Sequence, residues 1–156
     1  MILYYTRSGK TKVFAEVLGE ILNQPLYELE AELTKKSFIP FFFKALQSEF
    51  SGKHCPVINM PKSVPEEIFI CAPIWAGGMA SPAKYFLDKV DLKNSVVNIL
   101  LTASEPLEKY KEDALAYLNK IPCRQGNAYI FATSKKVPLE KDVIKEHLLE
   151  MLPNRT

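Results

Sequence analysis

Ile2-Leu3-Tyr4-Tyr5-Thr6-Arg7-Ser8-Gly9-Lys10-Thr11 is the stretch on which the fold turns. Ile2 to Tyr5 form a short apolar and aromatic run of the buried-strand kind. Thr6 to Thr11 are small, polar or basic, and a helical pattern then begins, with Val13, Phe14, Val17, Leu18, Ile21 and Leu22 on one face. A strand that stops at a hydroxyl-rich loop and restarts as a helix builds an anion site. The loop N–H groups and the first helical N–H groups are expected to lack partners of their own and to point at one spot. The helix dipole adds partial positive charge there, contributing up to about 2 kcal/mol in sheltered geometry. The hydroxyls of Thr6, Ser8 and Thr11 can each donate a hydrogen bond to a phosphate oxygen, and Gly9 lets the backbone come close.

Working outward, the helix ends near Asn23, where Gln24-Pro25 stops it. Leu26-Tyr27-Glu28-Leu29-Glu30 alternates apolar and polar, as a half-buried edge strand does. Phe38 to Phe50 reads as a helix with Pro40 in its first turn and Phe42, Phe43, Leu46 and Phe50 on one face. Packing on a sheet accounts for most of that aromatic density, while Phe38 or Phe41 would suit a partner or dimer surface. Ser51 to Pro65 reads as loop. Ile68 to Ala72 is a continuous apolar run, as a central parallel strand should be. Pro73 to Pro82 reads as loop, leading to a helix with Ser81 as N-cap and Pro82 at its first position. Val96 to Leu101 is a buried strand with Thr102-Ala103-Ser104-Glu105-Pro106 as its loop, and Leu107 to Lys120 is helical, with Tyr110, Ala114, Tyr117 and Leu118 on one face. Tyr129 to Ala132 is a fifth strand and Leu139 to Leu152 a last helix.

Such alternation of strand and helix gives a parallel sheet with helices on both faces. No internal repeat or composition break divides residues 1–156, which fit a single domain able to bury a core without disulfides or metals. Twenty Lys and Arg against eighteen Asp and Glu give a formal charge of +2, too near balance to suggest a nucleic-acid partner. No apolar run approaches the roughly 20 residues of a membrane span, and no signal-peptide pattern opens the chain. Cys55, Cys71 and Cys123 are scattered, which suits a reducing compartment, so a cytoplasmic location is expected.

Ligands in such sheets bind outside the carboxyl ends of the strands. The loops Thr6–Thr11, Pro73–Ser81 and Thr102–Pro106 should meet there. The second loop holds the only tryptophan, Trp75, suited to stacking on a flat ring, beside Gly77 and Gly78, both permissive of positive φ. Gly9-Lys10-Thr11 has the tail of a Walker A loop, but Tyr4 stands where that loop needs its earlier glycine. A G-x-G-x-x-G fingerprint is also missing, since the first turn has a single glycine.

Thr6-x-Ser8-Gly9-x-Thr11 resembles the T/S-x-T/S-G-x-T phosphate loop of the flavodoxin family. Ala72-Pro73-Ile74-Trp75-Ala76-Gly77-Gly78, with Ser81-Pro82-Ala83 and Phe86-Leu87 after it, is similar to that family's ring-binding loop and helix. The resemblance runs through the whole chain in element order. It implies an α/β, flavodoxin-like three-layer sandwich whose five-stranded parallel sheet has the order 2-1-3-4-5. It also implies non-covalent FMN, with its phosphate on Thr6, Ser8, Gly9 and Thr11 and its ring near Trp75. Arg7 and Lys10 add positive charge that the family loop does not need and that could equally be solvated. With them, Pro73, Ile74, Ala76, Gly77, Gly78, Thr102, Ala103 and Ser104 complete the expected cofactor-binding set. In the family a glycine peptide beside the ring reorients toward flavin N5–H, and Gly77 or Gly78 is the matching position.

Two departures bear on function. The loop Thr102–Pro106 has no aromatic to close the second ring face, and the acidity typical of a carrier is missing. Electron transfer through FMN with a redox partner protein is the leading expectation. An FMN-dependent NAD(P)H oxidoreductase acting on a quinone-type small molecule, with room for a homodimer, is the alternative. A flavodoxin-fold interaction domain without flavin is a third. His54-Cys55 does not read as a nucleophile pair, because neighbouring residues of an extended chain point apart. Cys71 reads as core, His147 as solvated, and no spacing of His, Cys, Asp and Glu suggests a metal.

Overall fold

The computed structural model describes residues 1–31, 47, 52–133 and 140–152. In it β1 (Ile2–Tyr4) lies wholly buried and leads into α1 (Lys10–Leu22). The chain continues through β2 (Leu26–Glu28), β3 (Glu67–Trp75), β4 (Gly78–Met79), α2 (Ser81–Lys89), β5 (Val96–Ala103), α3 (Glu108–Leu118), β6 (Arg124–Ala132) and α4 (Lys141–Met151). The aromatic segment read as a helix over 38–50 lies outside the described residues, Gln47 apart. No helix among the described residues is long and apolar enough to cross a membrane.

The parallel strands stand in the order β2-β1-β3-β5-β6, which is the expected 2-1-3-4-5 once the short β4 is set aside. Side chains alternate across the sheet as a period of two requires. Leu3, Tyr5, Ile68, Ile70 and Leu101 meet Phe86 and Leu87 of α2 and Ala114 and Leu118 of α3 on one face. Ile2, Tyr4, Phe69, Cys71 and Leu100 meet Phe14 and Leu18 of α1 and Ile144 and Leu148 of α4 on the other. Three layers result, with β3 buried on both faces from Ile68 to Ala72.

Three local expectations change. Pro73 to Trp75 continue β3 instead of forming loop, and β4 turns back antiparallel on it through the pairs Trp75–Gly78 and Ile74–Met79, adding a sixth strand. The apolar, β-compatible Ile74 and Trp75 extend the strand, and the Ala76-Gly77 turn reverses it. Second, Ser81 is the first residue of α2 and Ala80 its cap, so Pro82 sits one position further in. The Ser81 hydroxyl instead accepts the Cys55 N–H at 2.7 Å. Third, β6 begins at Arg124, well before the apolar run at Tyr129.

That longer start has a specific cause. Val97 pairs with Gln125 and Ile99 with Ala128, so Gly126 and Asn127 together oppose Asn98, which is a β-bulge. Asn98 is fully buried. Its Oδ1 accepts the Asn127 N–H at 3.0 Å and its Nδ2 donates to Glu67 Oε1 at 3.0 Å, so one side chain ties together β3, β5 and β6. A Cβ at position 126 would stand 2.3 Å from Asn98 Oδ1 and 2.9 Å from the Val97 carbonyl. Gly126→Ala is therefore expected to lower unfolding free energy by about 1–3 kcal/mol, read from urea denaturation. An unchanged midpoint would mean the bulge is not packed this way.

Candidate functional site

At the carboxyl ends of β1, β3, β5 and β6 the chain encloses a cleft of about 180 Å³. Thr6, Arg7, Ser8, Lys10, Thr11, Pro73, Ile74, Trp75, Thr102, Ala103 and Ser104 line it, together with Thr133. No carboxylate is among these residues, and Arg7 and Lys10 are cationic.

The first loop is built around Gly9. Its φ of 81° is left-handed, which glycine adopts without a Cβ penalty, and it serves as the N-cap of α1. A glycine cap has no side-chain oxygen, so no side chain caps the first turn, and that turn holds no acidic residue. The positive end of α1 therefore faces the cleft without an internal anion.

The hydroxyls are more committed than the sequence suggests. Thr6 Oγ1 accepts the Gly9 N–H at 3.1 Å, so that loop N–H is already paired. Thr11 is buried, and its hydroxyl lies 2.8 Å from that of Thr102, linking the start of α1 to the end of β5. Ser8 is exposed at the mouth. Lys10 is not a freely solvated cation, because Nζ donates to the Thr133 carbonyl at 2.9 Å. The Thr133 N–H in turn donates to the Ala103 carbonyl at 2.7 Å, which brings the end of β6 into the site. Thr133 was missed in the sequence, although it stands one residue past a strand end, at the level where ligands are expected.

Trp75 is half-buried beside the cleft. The fully buried ring of Tyr5 braces it edge-on, with centroids 5.1 Å apart and planes at 85°. Tyr5 therefore has a second role beyond core packing. In the turn that follows, Ala76 (φ 47°) and Gly77 (φ 88°) take left-handed conformations. This pattern matches a type I′ hairpin turn. Of the two glycines read as permissive of positive φ, Gly77 adopts it, while Gly78 is paired with Trp75 in β4 and does not. Gly77 and Gly78 do not line the strand-end cleft. They line a second one, across the hairpin, with Met79, Lys84, Asp113, Ala114 and Tyr117. The loop after β5 is exposed at Ser104, Glu105 and Pro106.

The remaining candidates fall away from the cleft. Burial pushes the Cys71 thiol far up and the Cys123 thiol up, which keeps both as unreactive thiols. His147 is exposed on α4. No metal-holding group of His, Cys, Asp and Glu occurs among the described residues. His54 is not an isolated loop residue, since it lies 2.9 Å from the Tyr117 hydroxyl.

No family model matches the chain, and no curated protein matches it. Solved structures do. A Bacteroides uniformis protein described as a candidate flavoprotein aligns at a TM-score of 0.75 and 16% identity, over 95% of this chain and 96% of that one. A flavoprotein in complex with FMN from Lactobacillus acidophilus aligns at 0.66 and 26% identity, over 83% and 90%. The two-electron reduced flavodoxin of Megasphaera elsdenii aligns at 0.54 and 10% identity, over 93% and 96%. The fold of this chain is flavodoxin-like.

The Thr11–Thr102 pair yields a test of the site's framework. Thr11→Val is expected to destabilise the protein by about 1–3 kcal/mol, because it strands the Thr102 hydroxyl in a buried position. Adding Thr102→Val should restore most of that loss, since both partners are then apolar. Additive losses in urea denaturation would show that the two hydroxyls do not depend on each other.

Proposed function

We propose that this protein binds FMN without a covalent bond and works in electron transfer. The observation that carries the reading is the uncapped first turn of α1, facing a cleft lined by cations and hydroxyls and, among the described residues, no carboxylate. That donor set suits a phosphate dianion: backbone N–H groups, the Ser8 hydroxyl, and Arg7 and Lys10 as neighbouring positive charge. The Thr11–Thr102 contact holds the start of the helix at the strand ends.

The cleft of about 180 Å³ is smaller than the roughly 300–1,000 Å³ that usually encloses a whole ligand. It suits the phosphate end, with the flat ring lying out along Trp75. The indole offers that ring an apolar face, and Tyr5 keeps the indole from turning. Bound FMN supplies one- or two-electron chemistry; the chain contributes binding, orientation and the electrostatics around the ring. The left-handed Gly77 has the conformational freedom for its peptide to turn beside the ring.

A second reading is favoured by one feature. Ser104-Glu105-Pro106 is exposed and has no aromatic side chain, leaving a route to the other ring face. An NAD(P)H-dependent reduction of a quinone-type acceptor would use that route. Bleaching of the bound flavin by NADH or NADPH under anaerobic conditions separates this reading from a carrier that takes electrons only from protein partners.

The binding assignment has a direct mutational test. Ser8→Ala should weaken FMN at least tenfold and leave riboflavin within a factor of about two. A lost hydrogen bond to a charged group costs about 1.5–3 kcal/mol, and riboflavin has no phosphate to lose. Trp75→Ala should weaken both ligands alike. Equal loss of FMN and riboflavin in Ser8→Ala would move the phosphate away from this loop.

A further inference from the structure

Tyr117 sits near the end of α3, and α3 packs directly against β4 of the hairpin. Tyr117, Gly77 and Gly78 face one another across the second cleft, of about 230 Å³. On its other side Tyr117 joins a polar cluster that the proposed function leaves unused. Its hydroxyl donates to Asp88 Oδ1 of α2 at 2.7 Å. The same oxygen lies 2.9 Å from His54 Nε2, which is 3.5 Å from Asp88 Oδ2. A hydroxyl that has given its proton to a carboxylate has only lone pairs left, so His54 must donate from Nε2. The imidazole is 13% exposed, largely sheltered from water.

We propose that His54, Tyr117 and Asp88 form a proton-dependent clasp that positions the Ala76–Gly77 turn. A second proton on His54 places a full positive charge beside the Asp88 carboxylate and turns the contacts into charge-assisted ones, drawing Tyr117 and the end of α3 inward. Loss of that proton leaves a neutral N–H donor and a slacker clasp. The wall of the hairpin follows, because α3 and β4 are in contact. The segment that carries His54 is anchored next to it, where Cys55 N–H donates to Ser81 Oγ at the start of α2. Among the described residues, the charged groups nearby include Lys84 of α2, whose Nζ lies 5.9 Å over the Tyr117 ring, and Asp113 of α3, which lines the same cleft as Tyr117, while Lys53 precedes His54 in its segment. The bearing of this clasp on a flavin rests on the function proposed above, whereas the coupling of His54 to the turn does not.

The test uses the protein without FMN, so a chain that bound no flavin would leave it intact. Backbone amide NMR shifts of Gly77 and Gly78 are followed from about pH 5 to 8, the range in which an imidazole ordinarily titrates. His54 and His147 are the only histidines, which makes His147→Gln the control. In the parent chain and in His147→Gln, both glycine amides should shift with the inflection of the His54 ring. In His54→Gln they should stay still. In Tyr117→Phe the His54 ring should titrate while the glycine amides stay still, and this variant gives the same test if His54→Gln fails to fold. Still glycine amides in the parent chain, or a titration that persists in His54→Gln or Tyr117→Phe, would overturn the clasp.

Discussion

The site depends on an absence at one helix terminus. Gly9 caps α1 with a left-handed backbone and no side chain, so among the described residues no side chain caps the first-turn N–H groups. Most helices satisfy these groups with Ser, Thr, Asp or Asn. Here Thr6 pairs with the Gly9 N–H and Thr11 with Thr102, so the nearby hydroxyls stiffen the loop and do not quench the helix end. Lys10 is tied to the Thr133 carbonyl and Thr133 to Ala103, which locks the loop to the last two strands of the sheet. A rigid, positive, uncapped terminus is a prepared place for an anion, because little ordering remains to be done on binding.

Much of this was legible in the sequence for a plain reason. The run Ile2 to Tyr5, the hydroxyl loop and the Val13–Leu22 stripe are each read from local periodicity, and the structure keeps that order. The continuous apolar run at Ile68–Ala72 identified the central strand because burial on both faces leaves no alternation. The features that were not legible depend on contacts distant in sequence. Ser81 looked like a cap, but Cys55 N–H, far back in the chain, claims its hydroxyl. The fifth strand was read only from its apolar part at Tyr129–Ala132, and the polar residues before it join the sheet through a bulge held by Asn98 of the neighbouring strand. Trp75 was read as a loop residue, whereas it ends a strand, fixed by a two-residue turn and by the ring of Tyr5.

The hairpin divides the chemistry of this end of the molecule. On one side is the strand-end cleft, lined by cations and hydroxyls and, among the described residues, no carboxylate. On the other is a cleft that holds Lys84 and Asp113 and is bounded by Tyr117. The tip between them combines Ala76, a residue that adopts positive φ at some cost, with Gly77, which adopts it freely. Such a turn is held by its surroundings more than by its own preference. On the proposed reading the two sides therefore act on one turn, a ligand from the sheet side and the His54 cluster from the helix side.

On the function proposed above, the phosphate of a flavin nucleotide sits on the uncapped end of α1 and its ring beside Trp75. Trp75 is the single tryptophan, so its emission reports on that position alone. The most direct measurement is titration of the flavin-free protein with FMN while Trp75 fluorescence is followed. The account predicts saturable quenching with one FMN per chain, and competition by riboflavin only at much higher concentration. Emission that does not change with added FMN, or quenching by riboflavin at the same concentration, would contradict it.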